Sequence, residues 1–237
     1  MSDFTPAWEQ GVFAALKSEN RADWEAYVDH EFVRRLGDGT LPEACFRHYL
    51  VQDYLFLIHF SRAYALAVYK SDNLDDMRKA AATMEALLNE EMQLHLRYCE
   101  QWGLNEADMA RVDEASENLA YTRFVLDAGL SGDLLDLLTA LAPCVAGYGE
   151  IGLRLGARSS EDLSGNPYRD WIETYAGDGY QSVVEASLQQ LDQVATVRAG
   201  DDIRQSGRWK SLSKTFGAAT RLEVGFWNMG MSPNSTG

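Results

Sequence analysis

The feature that most constrains the fold of this 237-residue chain is the placement of its five prolines. Residues 43–142, between Pro42 and Pro143, contain none, and neither do residues 168–232, between Pro167 and Pro233. A proline inside a helix removes a backbone hydrogen bond and clashes with the preceding turn, so long stretches without one let helices propagate. Both stretches carry apolar residues at i, i+3, i+4 spacing rather than in alternation, with few β-branched runs and no Asn-Gly turn. That pattern predicts helix throughout and an all-α fold.

The spacing predicts helices near 6–17, 21–35, 42–70, 73–102, 106–129, 132–156, 166–175, 179–197 and 207–230. Thr5-Pro6 and Thr40-Leu-Pro-Glu43 have the form of helix starts, the second pairing Thr40 with Glu43 as a capping box. Most connectors are short, so neighbouring helices are expected to pack antiparallel in a bundle. No shift of composition marks a linker and no internal repeat is found. The expectation is one all-helical domain over 1–237, with a frayed tail at 231–237.

Composition excludes partners rather than nominating them. The chain has 36 acidic against 21 basic residues, a formal charge of −15. Neutralising phosphates needs a basic face, so neither nucleic acid nor an anionic membrane is an expected partner. No run of 18 apolar residues predicts a spanning helix, and Met1-Ser-Asp-Phe-Thr-Pro lacks the basic and apolar regions of a signal peptide. Cys45, Cys99 and Cys144 are an odd number at wide spacings, which fits neither a disulfide framework nor a zinc site. The expected compartment is the reducing cytoplasm. Asn234-Ser-Thr matches a glycosylation acceptor but has no weight without a secretion signal.

Three helices put polar residues where their stripe calls for apolar ones. On 42–70 the stripe runs Phe46, Tyr49, Asp53, Phe56, Phe60, Tyr64, Ala67, with Asp53 in the middle of an aromatic face. On 207–230 it runs Phe216, Thr220, Glu223, Trp227, flanked by Phe226. A carboxylate buried alone is costly, so each of these needs partners or a shifted pKa. On 132–156 the stripe runs Leu137, Leu141, Cys144, Tyr148, Ile151, Leu155, which turns Cys144 inward directly after the mid-helix Pro143. A structural Asp or an inert core thiol would account for any one of these positions; Cys45 and Cys99 fit the inert reading. Three on separate long helices suit an interior site, which bundles build from facing helices.

The histidines inform mainly by absence. His30, His48, His59 and His95 all precede residue 96, and a carboxylate di-iron site needs two Glu-x-x-His pairs. Glu91 and His95, four apart on one helix face, read as a surface pair. The glycines at 129, 132, 177 and 179 form no phosphate-binding pattern and suit helix caps.

Taken in order, several segments resemble the TenA family (thiaminase II). They are Phe32-Val-Arg-Arg-Leu-Gly-Asp-Gly-Thr-Leu-Pro42, Phe46 to Phe56-Leu, Glu90-Glu-Met-Gln-Leu-His95, Ala120-Tyr121-Thr, Leu141-Ala-Pro-Cys144-Val-Ala-Gly-Tyr148, Trp171 to Tyr175-Ala-Gly-Asp, and Glu223-Val-Gly-Phe-Trp227. The resemblance runs from about residue 24 to 230, and Pro-Cys with Tyr four residues on marks the branch with an active-site cysteine.

The resemblance implies a heme-oxygenase-like helical bundle, usually a homotetramer. It also implies hydrolysis of 4-amino-5-aminomethyl-2-methylpyrimidine, or of thiamin, to the 5-hydroxymethyl product, with no metal or organic cofactor. It implies that Cys144 adds to the pyrimidine ring, that Glu223 serves as acid/base, that Asp53 orients the aminopyrimidine, and that Phe56, Tyr121, Tyr148 and Tyr175 line the pocket. Phe56 stands where some members have Tyr, and the segment to about residue 23 is longer than usual. Two other classes keep the scaffold: a heme or di-iron enzyme, and a non-catalytic pyrimidine-binding or regulatory protein.

Overall fold

The computed structural model describes residue 9 and residues 11–157 and 163–233. It is all-α, with no strand among the described residues. In chain order the helices are α1 (Gly11–Glu19), α2 (Arg21–Val28), α3 (Glu31–Gly37), α4 (Glu43–Lys70), α5 (Leu74–Ala86), a π turn (Leu87–Glu91), α6 (Met92–Gln101) and α7 (Glu106–Met109). There follow α8 (Ser116–Ser131), α9 (Leu134–Gly156), α10 (Arg169–Ala176), α11 (Asp178–Ala199), a 3-10 turn (Ile203–Gln205) and α12 (Trp209–Gly230). The expected start at Thr5-Pro6, part of the connector after α9 and residues 234–237 of the expected tail lie outside the described residues.

The three stripes face inward as their spacing requires. Phe46, Tyr49, Asp53, Phe56, Phe60, Tyr64 and Ala67 of α4 are buried, as are Cys144 and its stripe on α9 and Glu223 and its stripe on α12. α9 is the central helix: it packs against α8, α10, α11 and α12 and also meets α2 and α4. It is long and apolar enough, by length and composition, to cross a membrane, and here that apolar surface is spent on the core, with 83% of the window buried.

Two glycines let α9 take this place. A Cβ at Gly147 would come within 2.1 Å of the Tyr27 ring, and one at Gly152 within 2.4 Å of the Tyr175 backbone. The helix starts from a capping box between Asp133 and Asp136, and Arg208 clamps both carboxylates at 2.7–2.8 Å. Burial would raise the Asp133 carboxyl, but the Arg208 hydrogen bonds and charge outweigh it and hold the group at about 2.

The structure departs from the expected boundaries in four places. The helix expected at 21–35 divides at Asp29-His30, because His30 turns extended and its Nδ1 accepts the Phe32 N–H as a cap. The helix expected at 106–129 divides after Met109, and Gln52 of α4 takes the freed backbone by accepting from the Ala115 N–H and donating to the Asp113 carbonyl. The helix expected at 73–102 contains the π turn. The Thr40–Glu43 capping box does not form: the carbonyl of Pro42 accepts the N–H groups of Cys45 and Phe46, which leaves Thr40 two residues outside the helix.

The N-terminal helix α1 docks on the bundle. Phe13 of α1 meets Trp24 and Phe216 edge to face at 5.3 and 5.7 Å, and the Val12 N–H donates to Asp192 at 2.7 Å.

Candidate functional site

A cavity of about 550 Å³ lies between α4, the π turn, α9, α10 and α11. Its wall carries Asp53, Phe56, Glu91, Cys144, Tyr148, Tyr175 and Tyr180. The volume is in the range of ordinary small-molecule sites, which combine apolar walls with a few placed polar groups.

α9 stays helical through Pro143 and delivers Cys144 and Tyr148 one turn apart to the wall. The Cys144 thiol adjoins the Glu223 carboxyl. Burial pushes this thiol well above its ordinary pKa, and the carboxyls of Glu223, Glu91 and Asp53 push the same way. At neutral pH Cys144 therefore rests as a protonated thiol, not a thiolate.

Glu223 sits behind Cys144 and is almost fully buried, with 1% exposure. The Tyr121 hydroxyl donates to its Oε1 at 2.8 Å. Burial, with the Asp53 charge adding to it, lifts the Glu223 carboxyl to about 8, while Tyr121, Cys144 and Tyr27 pull it back. At neutral pH this group mostly carries its proton and can give one. Tyr121 lies one layer behind the cavity wall: its hydroxyl serves Glu223 and its ring packs on Phe56 at 5.2 Å.

Asp53 enters the wall from the opposite side, on α4. Its Oδ2 accepts from the Tyr49 hydroxyl at 2.9 Å and from His95 Nε2 at 2.7 Å. Trp171 Nε1 donates to the Tyr49 oxygen at 3.3 Å, and the Tyr49 and Tyr148 hydroxyls lie 3.3 Å apart. One oxygen of the carboxylate is thus committed to the protein.

His95 corrects the expectation of a surface pair. It is completely buried, and its Nδ1 lies 2.8 Å from the Glu91 carbonyl, which can only accept, so Nδ1 carries hydrogen. Burial alone would lower its pKa, but the hydrogen bond and charge of Asp53, followed by Glu91, outweigh it and raise the group above its ordinary value. An imidazolium bonded to the Asp53 carboxylate satisfies both nitrogens.

Glu91 is likewise no surface residue. It lines the cavity, and the Tyr175 hydroxyl donates to its Oε1 at 2.6 Å. Burial lifts it to about 7, against the pull of the His95 charge. The π turn that ends at Glu91 forms part of the wall through Leu87 and Asn89. Such turns recur at functional sites.

The sequence did carry a signal for this pair. Ala80, Met84, Leu87, Glu91, His95 and Tyr98 step by 4, 3, 4, 4 and 3, the same kind of interrupted stripe that singled out Asp53 and Glu223. Tyr180, which nothing in the local pattern marked, joins the wall from α11. Of the expected residues, Asp53, Phe56, Cys144, Tyr148 and Tyr175 meet at the cavity, with Glu223 and Tyr121 behind it. Among the described residues no group of His, Cys, Asp and Glu side chains has the arrangement of a metal site.

Comparison with known proteins places this architecture. Residues 18–232 match the TENA/THI-4/PQQC family model. An uncharacterized protein of Haemophilus influenzae is 39% identical over 208 residues, covering 88% of this chain and 93% of its own. An aminopyrimidine aminohydrolase of Halalkalibacterium halodurans is 34% identical over 217 residues, covering 91% and 93%. Among solved structures, a protein of a Silicibacter species described as a TenA family transcription regulator is 52% identical, with a TM-score of 0.89 over 93% of this chain and 96% of that one. A domain with a heme oxygenase-like fold from Shewanella denitrificans, 13% identical, superposes with a TM-score of 0.68 over 91% of this chain and 90% of its own, which identifies the fold. With the match running through nearly every element that builds the cavity, the chain belongs to the TENA/THI-4/PQQC family.

Proposed function

We propose that this protein hydrolyses aminopyrimidines of thiamin metabolism, converting 4-amino-5-aminomethyl-2-methylpyrimidine, or thiamin, to the 5-hydroxymethyl pyrimidine. One observation carries the reading: a buried thiol at a cavity wall, beside a carboxyl held near 8, with a second carboxylate fixed on the same wall. The names of the aminohydrolase relatives support the same chemistry.

The free oxygen of Asp53 accepts from the substrate's amino group while the aromatic walls stack on the ring. Glu223 gives its proton to a ring nitrogen and takes the thiol proton as the Cys144 sulfur bonds to the ring carbon beside the one bearing the methylene. The net transfer carries the thiol proton to the ring through one carboxyl. Aromaticity is lost, and the electron pair now held in the ring expels the amine from the methylene carbon. Water adds to that carbon, its second proton leaving with the amine. The carbon–sulfur bond then breaks, aromaticity returns, and Glu223 hands the proton back to the thiol. A carboxyl near 8 suits this shuttle because it exchanges protons in both directions at neutral pH.

The test is steady-state kinetics with aminomethylpyrimidine and thiamin side by side, with the hydroxymethyl product measured directly. Absence of that product from both substrates removes the reading. A regulatory role is the second reading, suggested by the description of the Silicibacter relative. The charge of −15 opposes DNA binding, and a regulator gives the thiol–carboxyl pair no task.

The family resemblance extends the proposal to a cytoplasmic homotetramer. A reducing compartment suits three free cysteines. Tyr69, Leu74, Leu130 and Val197 are exposed at the end of the bundle where Lys70 bonds the Gly132 carbonyl and Arg198 reaches Asp72, a surface apt for subunit contact. Light scattering of the purified protein decides the assembly.

A further inference from the structure

The proposed reaction leaves one carboxylate of the cavity without a task. Glu223 is turned to the thiol and Tyr121, and Asp53 is tied by His95 and Tyr49 on one oxygen. Glu91 stands on the wall itself, at the end of the π turn, and the Tyr175 hydroxyl on its Oε1 is its one side-chain hydrogen-bond donor among the described residues. The nearby imidazole does not serve it, because the His95 N–H groups are spent on the Glu91 backbone carbonyl and on Asp53. The His95 charge acts on this carboxylate and Arg97 lines the same cavity, but neither hydrogen-bonds it, so a ligand can supply a charge-assisted partner.

The geometry also gives this carboxylate a direction. Its charge is felt at the Cys144 sulfur, and the Asp53 charge acts on it in turn, so it lies within the same cluster as the reacting groups. About 550 Å³ is more space than a single substituted ring fills, and the wall on the Glu91 side turns polar, with Thr83, Asn89, Gln93, Arg97 and Thr174. A ring held between Asp53 and Cys144 has its methylene arm as the part left to occupy that space.

We propose that Glu91, oriented by Tyr175, is the subsite for a positively charged arm on the pyrimidine, and so selects substrates whose leaving group is cationic. This inference rests on the aminopyrimidine reading above and specifies its substrate class: an ammonium or a quaternary aromatic nitrogen on the methylene carbon. It also separates substrate from product. The substrate arm carries a charge and the hydroxymethyl arm does not, so the contact that favours binding is lost once the amine has left and the product is released more readily. Burial, which raises the free carboxyl to about 7, is offset when a cation arrives, and binding then fixes the ionised form.

The experiment measures equilibrium binding in a Cys144→Ala protein, which holds ligand without turnover. Aminomethylpyrimidine and hydroxymethylpyrimidine are titrated against that protein and against the same protein carrying Glu91→Gln or Glu91→Asp. Glu91→Gln is expected to weaken the cationic ligand about 10- to 100-fold, the worth of a charge-assisted hydrogen bond. The neutral ligand should change less than about twofold, within the noise of a neutral contact. Glu91→Asp keeps the charge and should retain part of the preference. Equal weakening of both ligands, or an unchanged preference in Glu91→Gln, overturns the inference and leaves the aminopyrimidine reading standing. Failure of both pyrimidines to bind the Cys144→Ala protein overturns both.

Discussion

His95 Nε2 lies 2.7 Å from Asp53 Oδ2, and both side chains are buried. The pair joins α4 to α6 behind the cavity wall and fixes which Asp53 oxygen remains for a ligand. Breaking a buried pair from one side leaves the other charge uncompensated, at a cost of about 3–5 kcal/mol. His95→Ala should therefore lower Tm by roughly 6–20 °C for a chain of this size. His95→Gln, whose amide can still donate to Asp53, should recover part of that loss and of the affinity for the pyrimidine. Thermal denaturation of the two variants checks this; a shift below about 2 °C in His95→Ala, less than 1 kcal/mol at this size, would contradict it.

Cys144 and Glu223 act as a unit in the proposed reaction, so either substitution alone should abolish most turnover. Cys144→Ala is expected to lose turnover while still binding a pyrimidine ligand. Glu223→Gln is expected to lower kcat by about 10²- to 10⁴-fold, the ordinary contribution of a positioned acid/base. An unchanged rate of aminomethylpyrimidine hydrolysis in Cys144→Ala rules out the thiol mechanism.

The raised thiol pKa has its own consequence. The thiolate is the form that alkylates, so free Cys144 should react with iodoacetamide at neutral pH more slowly than an exposed free cysteine. Peptide mapping after timed alkylation measures this. Rapid, selective labelling of Cys144 at pH 7 would mean that the resting site holds a thiolate.

Gly147 is a position on α9 with no room for a side chain, since a Cβ there meets the Tyr27 ring at 2.1 Å. Tyr27 stacks on Trp227 at 6.2 Å and neighbours Glu223, so a displaced ring disturbs the acid/base as well as the core. Gly147→Ala should destabilise by about 1–3 kcal/mol as an overpacked site. The same change in a Tyr27→Ala background should cost much less, because the clash is gone. Additive losses in that double-mutant cycle would show that Tyr27 is not the obstacle.

Much of this site was legible because helical period and burial coincide on the long helices. Asp53, Cys144 and Glu223 stand out as breaks in apolar stripes, and Glu91 and His95 obey the same rule on the helix after Pro42's. Their i, i+4 spacing alone suits a surface pair, and it is the stripe through Ala80, Met84 and Leu87 that turns them inward. Other features depend on contacts that no local pattern holds. Tyr121 meets Glu223 across 102 residues, and the break after Met109 depends on Gln52 from α4. The division at His30 uses a histidine ring as a cap, outside the usual Ser, Thr, Asp and Asn set.

The shifted groups of the cavity also set how stability should vary with pH. Glu223 rises from 4.5 to about 8, Glu91 from 4.5 to about 7, and His95 also lies above its ordinary value. Each raised pKa means that the folded state holds a proton that the unfolded chain has already released. Stability from the two glutamates is fully present below pH 4.5 and is lost as pH rises through 7 and 8; that from His95 is present below its unfolded value of 6.5 and fades through its raised one. Asp133, held at about 2, works oppositely below pH 3.8, and His30, His48 and His59, which burial lowers, work oppositely up to their unfolded value of 6.5. Tm should therefore decline from pH 6.5 to pH 8.5. Glu223→Gln, which cannot ionise, should lose less Tm over that range and overtake the unsubstituted protein in stability near pH 8, as expected where activity requires an unfavourably buried acid. Parallel Tm curves for the two proteins from pH 5 to 8.5 would show that Glu223 does not titrate in this window, and would remove it as a proton shuttle at neutral pH.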